Sequence, residues 1–169
     1  MTHEEYTAAA NHWIEKDAVS KKMSTDQLWI AIEEYIQRNN TCAFATGYGS
    51  FIRCTPIEYS WHDGAFWMFS EGGQKFVGLE ENENVSLAIY DRYDGFGKLK
   101  GLQVSGTAEI IEPFSAEYIQ AAEWKKIPVD ALRKLPFTMN LIKVKPKEID
   151  FLNSDFKEAG YDSRQHYNL

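Results

Sequence analysis

The chain has 169 residues, 44% of them hydrophobic and 25% charged, with a formal net charge of −7. That length suits one domain, residues 1–169, with a sizeable core, and the composition suits a soluble globular protein. An acidic chain without a basic face is excluded from general nucleic-acid binding, and no apolar run approaches membrane-spanning length.

Residues 1–39 read as helical cover. Glu4-Glu5 precede Tyr6, Ala9, Ala10, Trp13 and Ile14, spaced for one apolar face. The opening MTHEEYTAAA lacks a signal-peptide pattern, so a cytoplasmic protein is expected. Lys21-Lys22-Met23-Ser24 breaks the helix. Ser24 with Gln27, or Thr25, caps a second helix that carries Leu28, Trp29, Ile32, Tyr35 and Ile36 at helical spacing. Asn39-Asn40 ends it.

Residues 41–48 (TCAFATGY) read as a strand and 51–61 (FIRCTPIEYSW) as its hairpin partner. Cys42 and Cys54 lie nearly opposite on this hairpin, and two free buried thiols are expected in a reducing compartment. Asp63-Gly64 accepts the positive φ of a tight hairpin turn. A third strand, 65–70, then leads into a helix over 74–83. A fourth strand covers 84–91 and a fifth 99–112, where Gly101 and Gly106 suggest bulges or bends. Residues 113–135 are helical and broken at Pro128. A sixth strand starts at Thr138 and is extended or followed by 149–152. The tail, 153–169, is polar with scattered aromatics, and is either disordered or laid over another surface. Successive hairpins with inserted helices predict an α+β protein built on an antiparallel barrel.

Gly47-x-Gly49 and Gly95-x-Gly97 sit between strands and open no helix, so neither is a dinucleotide fingerprint. The four histidines show no metal-ligand spacing. The stretch 66–87 carries more. Its aromatic strand ends at Ser70, Gly72-Gly73 turn the chain, and Gln74-Lys75 open a helix. Free N–H groups at a helix start, a hydroxyl and a lysine suit an anion. Arg53 sits in a largely apolar strand and needs a partner. A phosphate or Glu58 can serve.

These motifs together resemble the pyridoxamine 5′-phosphate oxidase-like family of FMN-binding split barrels. Ala43-Phe44-Ala45-Thr46 matches its first strand, Ile52-Arg53 its arginine-bearing second strand, and Asp63-Gly64 its hairpin. Ser70, Lys75, Leu79 and Asn84-Val85-Ser86-Leu87 match the block that follows, and Val104 to Ile110 the closing strand. The resemblance implies a six-stranded antiparallel split barrel with N-terminal and peripheral helices. It also implies a homodimer with FMN at the interface and a small-molecule substrate or electron donor.

By position, Arg53 and Lys75 would bind the FMN phosphate, with Ser70 and Gln74 as hydrogen-bonding neighbours. Thr55, Pro56, Ile57, Met68 and Phe69 would line the flavin. Gln74 stands where the family has a cation, and Glu71 is its neighbour. Arg164-x-His166 resembles the oxidase's R-x-H segment, but only three residues follow it, so turnover of pyridoxamine phosphate is not expected. The resemblance implies an oxidoreductase of unknown substrate. Its alternatives are a non-catalytic FMN module of the stress-response kind, a haem-binding protein with His166 as axial ligand, and a user of deazaflavin F420.

Overall fold

The computed structural model describes residues 1–169. Two helices open the chain, α1 (His3–Ala18) and α2 (Thr25–Arg38). Thr2 and Glu5 form a reciprocal capping box at α1, yet α1 buries no residue. α2 is capped by Ser24, whose Oγ accepts the Gln27 N–H at 3.3 Å. Its apolar stripe, Leu28, Ile32, Tyr35 and Ile36, is buried against the sheet. Each such side chain contributes roughly 1.5–3 kcal/mol by leaving water.

The strands are β1 (Thr41–Tyr48), β2 (Phe51–Glu58), β3 (Ser60–His62), β4 (Ala65–Ser70), β5 (Asn84–Tyr90), β6 (Lys100–Ile111), β7 (Asn140–Asn153) and β8 (Arg164–Asn168). They form one antiparallel sheet in the order β2-β1-β5-β6-β7-β4-β3, with β8 on the free stretch of β7. The sheet curls until β2 lies beside β4 without pairing to it. That unpaired seam makes the barrel split. Phe44, Phe66, Leu87, Ile89, Val104, Ile142 and Ile149 fill the interior.

α3 (Lys75–Glu81) links β4 to β5, and α4 (Ala116–Trp124) and α5 (Val129–Arg133) link β6 to β7. The last two cover a second core around Trp67, Tyr118 and Leu141.

The α+β split barrel agrees with the sequence. Asp63 and Gly64 take positive φ, +53° and +70°, as a tight hairpin needs. Gly106 marks a register shift, and a Cβ there would meet the Lys145 carbonyl at 2.4 Å. Gly101 keeps regular register with both neighbours.

The structure differs from the expected six strands in two places. The second strand breaks at Tyr59, which turns inward. Its N–H donates to the Asn40 carbonyl and its hydroxyl to the Ile36 carbonyl, each at 2.8 Å. β3 is then free to pair with β4.

The tail is ordered as β8. Buried Gln165 accepts the Met23 N–H at 3.0 Å and donates to the Lys21 carbonyl at 3.1 Å, tying β8 to the α1–α2 linker.

The thiols also differ from expectation. Both are free, but Cys42 is buried and Cys54 exposed. Cys54 stands opposite Ala45 and Cys42 opposite Ile57, so the strand period puts the thiols on opposite faces. No helix is long and apolar enough to cross a membrane.

Candidate functional site

The β1–β2 hairpin decides which β2 side chains can act together. Arg53 stands opposite Thr46, Thr55 opposite Phe44 and Ile57 opposite Cys42. All six therefore share the face that points to the barrel and α3. Pro56 stands opposite Ala43 on the other face, where it borders a groove with Ala88 and Tyr90. Of the three β2 residues expected at the flavin, Thr55 and Ile57 share a face with Arg53 and Pro56 does not. Ile57 also packs on the main core.

Arg53 is exposed and forms no ion pair. Glu58 is committed elsewhere, to Lys125 at 3.0 Å. Arg53 is therefore a cation without a carboxylate.

Across the seam, β4 delivers Ser70, only 7% exposed. Its Oγ accepts the Gly72 N–H at 3.3 Å and donates to the Gly72 carbonyl at 3.2 Å. Gly73 has φ +109°, a backbone state that glycine alone enters cheaply.

The chain then places Lys75 in the first turn of α3, 6% exposed. Its Nζ donates to the Gly72 carbonyl, and it has no carboxylate partner. Burial lowers its pKa below the usual lysine value.

α3 reaches this corner because Gly78 has no side chain. A Cβ there would meet the Gly47 nitrogen at 2.9 Å and Thr46 Oγ1 at 3.0 Å. Thr46 Oγ1 is buried and has no hydrogen-bond partner. The seam thus gathers a free guanidinium, a buried ammonium and an orphaned hydroxyl. An oxyanion satisfies such groups.

The remaining candidate residues have other surroundings. The Phe76 and Val77 N–H groups donate to the Gly73 and Gln74 carbonyls, at 3.2 and 3.1 Å, so they are not free for an anion. Gln74 is exposed and makes no capping bond. Met68 is fully buried in the main core. Phe69 meets Tyr118 edge-on at 5.3 Å, against the second core. Exposed Glu71 forms no ion pair and places no paired charge on Lys75.

Thr46 escaped the sequence reading as a site residue. Its signal was a polar side chain in step with Cys42 and Phe44 on the apolar face of β1.

Arg164 and His166 lie on β8, and both bind Asp150, each at 3.2 Å. The second ring nitrogen of His166 meets Asn168 Oδ1 at 3.1 Å. No group of three or more His, Cys, Asp or Glu is placed to hold a metal ion.

Among curated proteins, none matches this sequence. Solved structures do. HutZ, the haem storage protein of Vibrio cholerae, aligns with a TM-score of 0.58 at 19% identity, over 70% of this chain and 89% of its own. A FAD-binding protein from Mesorhizobium loti aligns with a TM-score of 0.57 at 15% identity, over 71% of this chain and 88% of its own. General Stress Protein 26 from Bacillus anthracis aligns with a TM-score of 0.59 at 20% identity, over 84% of this chain and 98% of its own. At these identities the likeness is one of fold. The family model for pyridoxamine 5′-phosphate oxidase matches residues 28–153, from the first turn of α2 to the end of β7, and the chain belongs to that family.

Proposed function

We propose that this chain is an FMN-binding flavoprotein, an oxidoreductase acting on a small molecule as a cytoplasmic homodimer. The observation that carries the reading is a pair of cations at the seam without carboxylate partners: exposed Arg53, whose neighbour Glu58 is taken by Lys125, and buried Lys75, held only by a carbonyl. These residues fit a phosphate monoester. Arg53 supplies a planar fork for two oxygens, and Lys75 a point charge in a dry corner. Ser70 borders the corner, and Thr55 continues the Arg53 face toward a ring.

Bound FMN would supply electron transfer. The chain binds and orients it and shields one side from water. No pair of side chains at the seam is set out as a general acid and base, so the protein's part here is placement.

The homodimer rests on β2. It is an edge strand with Ile52 80% exposed and Arg53 and Cys54 open to solvent. Such an edge invites pairing or cover, and a second copy supplies it. In the haem alternative Asp150 would hold one ring nitrogen of His166, and iron would have to displace Asn168 from the other.

The test is a visible spectrum of the purified protein with mass analysis of any released cofactor. A flavin spectrum with the mass of FMN supports the proposal. A Soret band, a deazaflavin mass, or a colourless protein that refuses added FMN overturns it. Sedimentation of the loaded protein as a monomer would overturn the dimer.

A further inference from the structure

We infer that the junction of α1 with the tail is a second anion site, one that takes a small phosphate-type dianion and clasps α1 to the barrel. A cavity of about 150 Å³ lies there, bordered by Trp13, Lys16, Ser20, Lys157, Ser163 and Arg164. Three separate elements bring cations to it: Lys16 from α1, Lys157 from the turn after β7, and Arg164 from β8.

Lys16 Nζ lies 4.8 Å and Arg164 Cζ 5.0 Å from the centroid of the Trp13 ring. Like charges gathered around one ring repel unless an anion joins them. Lys16 and Lys157 form no ion pair. Two acids also border the cavity: Asp17 is neutralised by a lysine, whereas Asp162 bonds only a neutral N–H and keeps its negative charge there. Asp17 holds Lys22 Nζ at 2.6 Å, and Asp162 accepts the Lys21 N–H at 2.8 Å. Arg164 is shared with Asp150. Against the one uncompensated carboxylate, Asp162, the two lysines leave a net positive charge for the ligand, with the hydroxyls of Ser20 and Ser163 beside them.

A second observation gives the site a purpose. α1 runs for 16 residues and buries none of them, although isolated helices of this length are marginal in water. An anion bridging Lys16 to Lys157 holds α1 although its apolar face stays exposed. The cavity takes an ion of phosphate size, and its lining has no counterpart in the Arg53–Lys75 seam.

The test follows the Trp13 indole N–H by NMR, identified by its loss in Trp13→Phe, while inorganic phosphate is added to the full chain. Hydrogen exchange of residues 3–18 is followed in parallel. The expected result is a saturable shift with a midpoint of about 1 mM and slower exchange in α1. Lys16→Gln with Lys157→Gln weakens binding by about tenfold or more. Arg53→Ala leaves it unchanged, which separates this site from the seam. Both lysines are exposed, and an unchanged far-UV circular dichroism spectrum reports a folded double variant. The inference is overturned by no saturable shift, by the same shift with sodium chloride at equal ionic strength, or by a double variant that still responds.

Discussion

Lys75 lets the seam be tested in two directions at once. It is 6% exposed, and its Nζ has a carbonyl but no carboxylate. Without a phosphate, the folded chain carries a desolvated charge there. With one, that charge becomes a charge-assisted bond. Lys75→Met keeps the length and removes the charge. Losing such a bond costs about 1.5–3 kcal/mol, or roughly a 10- to 150-fold rise in the Kd for FMN. The apo-protein changes in the opposite sense. Replacing an uncompensated buried ion by an apolar chain is neutral or stabilising, so apo stability at pH 7 stays level or rises by about 1 kcal/mol.

The pH dependence has a fixed sign. Burial lowers the folded pKa of Lys75 below its unfolded value of 10.5, so between the two the unfolded chain binds more protons. The penalty is therefore full below the folded pKa and fades as pH rises toward 10.5. Wild-type apo-protein gains stability through that alkaline window, and Lys75→Met loses that gain. FMN fluorescence titration and urea unfolding of the apo-protein read the two effects. An unchanged Kd together with a destabilised apo-protein would refute the reasoning.

Four other outcomes are expected. Arg53→Ala raises the Kd for FMN more than the Lys75 variant does, because a two-oxygen fork is lost, while urea unfolding of the apo-protein is unchanged since Arg53 holds no partner. Gly78→Ala lifts α3 from Thr46, costing about 1–3 kcal/mol of stability and weakening FMN binding; a fully stable variant with normal affinity contradicts the close approach. Tyr35→Phe removes a 2.8 Å bond to Asp91 and lowers stability by about 1 kcal/mol in the same assay. A thiol reagent modifies Cys54 in the native protein but reaches Cys42 only after unfolding, because Cys42 is buried and its thiol is pushed up to about 12 mainly by burial. Mass spectrometry counts the adducts, and rapid double labelling of native protein counts against the buried placement.

Much of the barrel was legible because its signals are local. Alternating apolar residues, the Asp63-Gly64 turn, the Ser24 cap and the Pro128 break each act within a few residues. Arg53 and Lys75 were legible too, since a cation in an apolar strand and a lysine after two glycines are anomalies in sequence. Tertiary structure decided everything that needs a second element. Which face of β2 carries Arg53, and that Pro56 lies on the other, follows from pairing with β1. Met68 is lost to the core because β4 lies between β3 and β7. The α3 N–H groups are spent on their own turn, a matter of helix geometry rather than composition. Thr46 is left buried without a partner because Gly78 lets α3 cover it. β8 formed where the sequence read a polar tail, because its partners, β7 and the α1–α2 linker, are distant in the chain. Residue types and spacing fix local conformation and which charges need partners. Only packing determines which of those partners are within reach.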